Sequence, residues 1–304
     1  MLRRILKGAG AGLLALVLLL AALQIANSAG DPVAPRAPGA IRIATYNVHY
    51  IDLLAEGGPW SAADWEVRKG PLDDAFKAIG ADIVAFQEME SFQGGSGSEL
   101  NLALDYLLAA NPDFGAAATG DWRVFPPTQP IFYRKDRFRV IDEGWFFFSR
   151  TPDVIYSRTF NGSWPAFASW ADFAPRGGGE PFRVVNVHFE YRSASNRLLS
   201  AELVRDRIAP VIAAGRPLFL VGDINARRRS PTAEILEEAG VVFAPVEGST
   251  YHFDRGLNLL FPIDHIAATP DLRRVGGPVV IRSRFRGEWP SDHYPVFADY
   301  LPPG

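Results

Sequence analysis

A short apolar segment that ends in an acid and an amide is the most informative feature of this sequence. Residues 217–226 read PLFLVGDINA, so the apolar run stops at Gly222 and is followed by Asp223 and Asn225. Such a run between proline and glycine predicts a strand buried on both faces. In extended chain, Asp223 and Asn225 would point to the same side. A carboxylate and a carboxamide at a sheet end could bind a metal ion or a phosphate, although both residues also favour turns.

Polar residues occur in the same way at the ends of other apolar runs. The segments are IRIATYN ending at Asn47, ADIVAFQE ending at Glu88, FRVVNVHFE with Asn186 and His188, FPIDHIAA with Asp264 and His265, and WPSDHYPVFADY with Asp292 and His293. Each residue alone is explained by a turn or by a hydrogen-bonded buried group. Their repetition, with acids, amides and histidines each time, indicates one shared site.

Helices and strands alternate along the chain and must position these residues. The periodicity of apolar side chains and the capping residues predict helices over 60–79, 100–110, 195–214 and 230–238. The first of these should be interrupted near Gly70 and Pro71. Strands with helices outside them suggest two sheets packed face to face, but the pattern alone specifies only an α/β or α+β class.

Residues 1–29 indicate an export signal or a membrane anchor. Arg3, Arg4 and Lys7 precede an apolar run, Ala9 to Leu23, whose length lies between a signal-peptide core and the roughly 20 residues of a spanning helix. Cleavage after Ser28 is sterically possible, and a retained anchor with its basic end in the cytoplasm is the competing interpretation. In both cases we expect the remaining chain to be extracytoplasmic, either secreted, periplasmic or held at the membrane.

The amino-acid composition indicates the domain organisation and limits the classes of function. Residues 30–40 are rich in proline and alanine and predict a semi-extended linker before one large domain. The chain has no cysteine, which excludes thiol nucleophiles, zinc-thiolate sites and disulfides. Its formal charge is −3, or −6 without Arg3, Arg4 and Lys7; this disfavours nucleic acid as a partner, although the arginines at 227–229 could contact phosphate. We expect a monomer.

The motifs TYNVHY, FQE, NVHFE, GDIN, IDHI and SDHYPV follow one another in this order. The series resembles that of the endonuclease/exonuclease/phosphatase superfamily, the DNase I-like hydrolases, from about Ile41 to Tyr300. The resemblance implies an α+β fold, a four-layer αββα sandwich of two packed mixed sheets with outer helices, with the site at one end of the sheets. Residues 41–304 would then be the catalytic domain.

The resemblance also implies a divalent metal ion. Glu88 would be its principal ligand, helped by Asn47 and Asp292, and their hard oxygen atoms suit magnesium or manganese. Gathering these acids with Asp223 and Asp264 would be strongly unfavourable without a cation, because neighbouring carboxylates oppose one another's ionisation.

Five residues are candidates for the chemistry itself. His293 would act as a general base or as an imidazole that polarises the phosphate, and Asp264 would fix its tautomer. Asp223 could orient or deprotonate the attacking water, or protonate the leaving group. Asn225 and His188 would donate hydrogen bonds to phosphate oxygens, which a carboxylate cannot do. His49 and His252 have no partner visible in the sequence, and His265 should face away from Asp264.

We therefore expect an exported, divalent-metal-dependent phosphoester hydrolase. A small-molecule or lipid-linked phosphomonoester or phosphodiester is favoured, because of the acidic charge and the membrane-directed amino terminus. An extracytoplasmic nuclease is the alternative substrate class. A non-catalytic, membrane-anchored binding module on the same fold is the alternative outside catalysis, although every expected site position carries a chemically suitable residue.

Overall fold

The computed structural model describes residues 2–28, 32–94 and 99–303, and side chains from residue 9 onward. Each of the six predicted apolar runs contains a strand, and the structure has eight further strands among the described residues. In chain order they are β1 (Ile41–Asn47), β2 (Ile51–Asp52), β3 (Ile83–Gln87), β4 (Ser91–Phe92), β5 (Phe114–Ala117), β6 (Ile131–Arg134), β7 (Phe138–Phe147), β8 (Phe167–Pro175), β9 (Phe182–His188), β10 (Leu218–Asp223), β11 (Val242–Phe243), β12 (Asp264–Ala268), β13 (Arg273–Val280) and β14 (Val296–Leu301).

Two six-stranded sheets dominate the described part of the chain. The first has the order β13-β14-β1-β3-β6-β5 and the second β11-β12-β10-β9-β8-β7, while β2 and β4 pair separately. Each sheet is mixed, because β1 and β3 run parallel in the first and β9 and β10 run parallel in the second. Alternation along the strands divides their apolar side chains between two faces. In β10, Phe219 and Val221 lie in the core between the sheets, whereas Leu218 and Leu220 lie in an outer core.

Helices cover the outer faces of both sheets. In chain order the helices are α1 (Leu2–Ala26), α2 (Ala62–Ile79), α3 (Leu102–Ala110), α4 (Ala194–Ala213) and α5 (Pro231–Glu237). Apolar side chains of α2 and α3 pack on the first sheet, and those of α4 and α5 pack on the second. The layers are therefore helix, sheet, sheet, helix, which confirms the α+β sandwich expected from the resemblance.

Serine residues begin three of the helices, and of these only the start at Ser230 was predicted from the sequence. The hydroxyls of Ser61, Ser193 and Ser230 accept hydrogen bonds from backbone N–H groups in the first turns of α2, α4 and α5, which satisfies donors that have no partner inside the helix. The expected interruption of α2 is wrong, because the helix continues through Pro71. Its opposite end is closed by Gly80 in the left-handed conformation.

Parallel pairing brings the ends of the central strands to one edge of the sandwich. Asn47 is paired in register with Gln87, directly before Glu88. In the second sheet, Asp223 is in register with His188 on one side and with Asp264 on the other. The strand ends that the sequence marked with polar residues therefore meet at one place.

A close approach of β9 requires the glycine before Asp223. Gly222 has φ +139°, and a Cβ here would lie 1.9 Å from the carbonyl oxygen of Val187. We expect Gly222→Ala to lower the free energy of unfolding by at least about 3 kcal/mol, because the strands must separate. Gly215→Ala is the matched control: its φ is +79° but it faces open space, so the cost should be about 1 kcal/mol. Equal losses in chemical denaturation would contradict the steric explanation.

The amino-terminal helix is set apart from the four layers. Residues Ala9–Ala26 have a mean hydropathy of 2.3 and are not buried, so this helix is long and apolar enough to cross a membrane, by length and composition. The linker that follows is partly fixed on the domain, since Arg36 pairs with Asp82 and Arg42 donates to the carbonyl oxygen of Ala34. Residues 29–31, which include the start of the expected linker, lie outside the described residues.

Candidate active site

The eight residues predicted for the site lie at the same end of the sandwich. They come from the ends of β1, β9 and β10, from the start of β12, and from the segments after β3 and β10 and before β14; the residues are Asn47, Glu88, His188, Asp223, Asn225, Asp264, Asp292 and His293. Most of them are buried, and Glu88, His188 and Asn225 are partly exposed. Solvent therefore reaches the cluster from the side of these three residues.

Glu88 and Asn47 form the part of the cluster nearest the first sheet. The Asn47 amide donates to Glu88 Oε1 at 3.0 Å and approaches Asp223 Oδ2 at 3.4 Å. Glu88 adopts φ +55°, an uncommon conformation for a residue other than glycine and one often found at functional sites. Its second carboxylate oxygen, Oε2, is buried and has no hydrogen-bond partner among the described residues. A buried carboxylate oxygen without a donor is a suitable ligand for a cation.

His293 is held between two buried acids. Its Nδ1 lies 2.9 Å from Asp264 Oδ2, and its Nε2 lies 3.9 Å from Asp223 Oδ2. The contact with Asp264 therefore orients the ring. The three residues also offer ligand atoms that lie within 4.8 Å of one another. The hydrogen bond to Asp264 occupies Nδ1 of His293, whereas Asp264 Oδ1 is buried and has no hydrogen-bond partner among the described residues.

His188 lies between the two halves of the cluster. Its Nε2 is 3.6 Å from Glu88 Oε1 and 3.9 Å from Asp223 Oδ2. About 29% of its side chain is exposed, compared with 7% for His293. An imidazole with this access can meet an anionic group that enters from solvent.

Asn225 reaches the site by a different geometry from the one predicted. β10 ends at Asp223, and Asn225 has φ +48°, so the alternation of extended chain does not continue to it. Instead, Asp223 Oδ1 accepts a hydrogen bond from the Asn225 backbone at 2.8 Å, which forms a tight turn. The Asn225 side chain donates to the carbonyl oxygen of Phe189 at 2.8 Å. One of its two amide N–H groups is then left for another acceptor.

Burial and neighbouring charges shift the pKa values of Glu88, Asp223 and His293 in different directions. Burial opposes ionisation of Glu88, but the imidazoles of His188 and His49 and the Asn47 amide lower the pKa of Glu88 to about 2. Burial and the charge of Asp264 raise the pKa of Asp223. Burial disfavours the imidazolium of His293, yet the Asp264 carboxylate overrides it and raises the pKa of His293 to about 10. In the metal-free site at neutral pH, Glu88 is therefore an anion and His293 a cation.

Sequence reasoning missed His49. Its Nε2 lies 3.9 Å from Asp292 Oδ2, and its ring stacks on Trp60 with 3.9 Å between centroids. The stacking depends on φ +51° at His49 and +68° at Trp60, which sequence periodicity does not report. The available signal is the position of His49 two residues after Asn47.

Arg68 was also missed, and it supports the loop that carries His49. Its buried guanidinium donates to the carbonyl oxygens of residues on both sides of the site: Val48, His49, Tyr50 and Pro290. An arginine three residues after Trp65 and four before Leu72 falls on the buried stripe of α2. That polar residue at an apolar helical position is the signal that could have found it.

The remaining histidines do not join the cluster. His252 is buried and stacks on Tyr294 with 4.1 Å between centroids, and burial lowers its pKa to about 3. His265 faces away from Asp264, as predicted, and its Nε2 lies 3.0 Å from the carbonyl oxygen of Ala226. Both are packing residues in this structure.

A groove of about 520 Å³ opens beside the cluster. It is lined by Asp292 and by both apolar and charged side chains: Pro59, Trp60, Tyr251, Phe253, Asp254, Arg255, Leu257 and Leu259. Tyr251 also contacts the ring of His293, with 5.0 Å between centroids. The groove therefore connects the acids and histidines with an apolar surface that could hold the non-phosphate part of a ligand.

This fold and this cluster define a class of phosphoester hydrolases. Residues 44–293 match the family model described as the Endonuclease/Exonuclease/phosphatase family, so the chain belongs to that family. Its members are hydrolases that act on phosphoester bonds, typically with a divalent metal ion. Family and fold together indicate a phosphoesterase or nuclease type of hydrolase.

Solved structures show the same fold over most of the chain. An endonuclease/exonuclease/phosphatase family protein from Bacteroides thetaiotaomicron is 23% identical, with a TM-score of 0.69, and the alignment covers 87% of this chain and 98% of that one. A second family protein, from Bacteroides vulgatus, is 25% identical, with a TM-score of 0.68, and the alignment covers 86% of this chain and 98% of that one. A mannosyl-6-phosphatase from Bacteroides thetaiotaomicron is 22% identical, with a TM-score of 0.67, and the alignment covers 86% of this chain and 99% of that one. No curated protein sequence matches this chain.

Proposed function

We propose that this protein hydrolyses a small-molecule or lipid-linked phosphoester with the help of magnesium or manganese, outside the cytoplasm. Two arrangements that lie together at one edge of the sandwich carry the proposal. One is the hydrogen-bonded pair of His293 and Asp264, which faces Asp223. The other is the Glu88 carboxylate, whose buried Oε2 has no donor among the described residues.

Glu88, Asn47 and Asp292 would hold the metal ion. Carboxylate and amide oxygens are the ligands that magnesium and manganese prefer, and the low pKa of Glu88 keeps it ready to bind without first losing a proton. When bound, such an ion supplies a Lewis acid that offsets the negative charge of a phosphoryl group.

His293 and Asp223 would divide the proton transfers. Since the Asp264 carboxylate keeps His293 cationic at neutral pH, we favour His293 as the imidazolium that polarises the phosphate over a role as general base. Asp223 lies 3.9 Å from that ring, and its raised pKa suits a group that takes a proton from water. This assignment selects between the roles that the sequence leaves open.

His188 and Asn225 would orient the phosphate. The His188 side chain is partly exposed, and its Nε2 lies 3.6 Å from Glu88 Oε1 and 3.9 Å from Asp223 Oδ2. Asn225 retains an amide N–H beyond the one given to Phe189. Two neutral or cationic donors among several acids would fix the non-bridging oxygens and exclude a wrong orientation.

The domain assignment follows from the same proposal. Residues 1–29 would direct or anchor the chain at the membrane, residues 30–40 would link, and residues 41–304 would form the catalytic domain. The apolar, unburied helix Ala9–Ala26 supports this division. Fractionation of cells that express the full chain should place it in the membrane or outside the cytoplasm, and recovery from the cytoplasm would contradict export.

A substrate panel tests the function. We expect the purified full chain with magnesium or manganese to hydrolyse an aryl phosphomonoester, an aryl phosphodiester or a phospholipid faster than plasmid DNA. The acidic net charge of −3 is the reason to expect little DNA cleavage. The Asp223→Ala and Asn225→Ala double variant, which opens no cavity in the apolar core, sets the background. Faster DNA cleavage would support the nuclease alternative, and no cleavage at all would support a binding module.

A further inference from the structure

The end of the amino-terminal helix is fixed to the loop that lines the groove. The Gln24 side chain donates to the carbonyl oxygen of Gly256 at 2.9 Å and accepts from the Asn258 backbone at 2.7 Å. The Asn258 amide donates to Ser28 Oγ at 2.8 Å. The Ser249 backbone N–H donates to the carbonyl oxygen of Asn27 at 3.1 Å. These contacts set the place where the apolar helix leaves the domain.

The helix has the length of a membrane span and is not covered by the domain. The 18 residues Ala9–Ala26 extend for about 27 Å at the rise of an α-helix, close to the roughly 30 Å of a bilayer's hydrocarbon core. Leucines along the helix, such as Leu13 and Leu18, are more than half exposed. If a bilayer covers them, the polar residues Gln24, Asn27 and Ser28 at the end of the helix lie near its surface, and so does the loop that they contact.

The same loop exposes large apolar side chains. Phe253, Leu257, Leu260 and Phe261 are 37–46% exposed. Arg227 lies over the Phe261 ring, 5.8 Å from its centroid. Apolar side chains next to arginine suit the boundary between acyl chains and anionic head groups.

We propose that residues 251–261 rest on a lipid bilayer, so that the groove beside Asp292 opens at the membrane surface and receives a phospholipid. Tyr251, Phe253 and Leu257 belong both to this loop and to the groove, so an apolar chain can pass from the bilayer along one continuous surface. The head-group phosphate would then reach the acids and histidines. The helix and the loop alone support the membrane contact, whereas the choice of a phospholipid as substrate also rests on the proposed function.

Labelling of single cysteines tests the contact surface, because the chain contains no cysteine. The full chain would be placed in vesicles of phosphatidylcholine and phosphatidylglycerol, with a spin label at Leu260→Cys or Phe261→Cys. Val242→Cys is the matched control, because Val242 is 59% exposed and lies away from the site. It is on β11 and pairs with Ala268, at the other end of β12 from Asp264. We expect labels at 260 and 261 to collide with oxygen more than with a water-soluble nickel chelate, and the label at 242 to show the reverse. Equal exposure to the chelate at all three positions, or protection from both probes at 260 and 261 by a protein partner, would overturn the proposal.

A second experiment tests the substrate. The Leu260→Ser and Phe261→Ser double variant should hydrolyse phospholipid in vesicles at least about 10-fold more slowly, because two large apolar side chains no longer enter the bilayer. Hydrolysis of a soluble aryl phosphodiester should change less than about twofold, since neither residue lines the groove; a melting curve confirms the fold. If wild type cleaves the aryl ester but no vesicle lipid, the lipid inference fails and the proposed function stands. If it cleaves neither, the proposed function fails, while the label positions still decide the surface.

Discussion

The Asp264→Asn variant should lose at least about two orders of magnitude in turnover while it remains folded and binds metal. Asp264 is the carboxylate that contacts His293 Nδ1, at 2.9 Å, and that raises the pKa of this imidazole to about 10. An amide of the same shape cannot stabilise the imidazolium. Turnover measured beside a melting curve gives the first readout, and a change of only a few-fold would show that the pairing is structural.

Two further measurements separate this role from a packing role. Proton NMR of the metal-free protein should show that the pKa of His293 falls in Asp264→Asn, because a charge that favours the cation has been removed. In a His293→Ala background, Asp264→Asn should have almost no further effect on turnover, since Asp264 acts through the ring. Independent, additive losses would contradict this account.

The Glu88→Gln variant should weaken binding of magnesium by at least about 100-fold and reduce turnover to a similar degree. The amide removes the negative charge that would pair with the ion, and its N–H group can occupy the place of Oε2, which has no hydrogen-bond donor among the described residues. Wild-type protein should melt at a higher temperature when magnesium is added, because the ion binds the folded form. That increase should disappear in Glu88→Gln.

Glu66→Gln is the matched control for this change. Glu66 lies on the exposed side of α2, and 65% of its side chain is accessible, so the substitution removes the same charge away from the site. We expect normal metal affinity and turnover. If both variants lose affinity equally, overall charge rather than coordination by Glu88 governs metal binding.

Much of the site could be predicted because its residues lie at strand ends. An apolar run that stops at a polar residue is visible in the sequence, and parallel pairing of β1 with β3 and of β9 with β10 necessarily gathers those ends at one edge. The strand pattern alone did not determine how the sheets and helices are layered. The order of the motifs, through the resemblance to the family, predicted the αββα sandwich. For the same reason, His265 could be placed on the face opposite Asp264.

Loop geometry could not be predicted in this way. His49, Trp60 and Asn225 all have positive φ, and these conformations depend on tertiary contacts such as the hydrogen bonds from Arg68 to the loop after β1. The periodicity of a helix or a strand carries no information about them. The docking of Gln24 on the loop near Gly256 likewise joins residues that lie 232 positions apart.

Removal of metal is the most direct test of the proposed function. Hydrolysis of an aryl phosphodiester by the full chain should fall to the level of the Asp223→Ala and Asn225→Ala double variant after dialysis against EDTA, and it should return on addition of magnesium or manganese. This result would show that hydrolysis of the phosphoester requires a divalent metal ion. Full activity in chelator after exhaustive dialysis would contradict the metal-dependent mechanism.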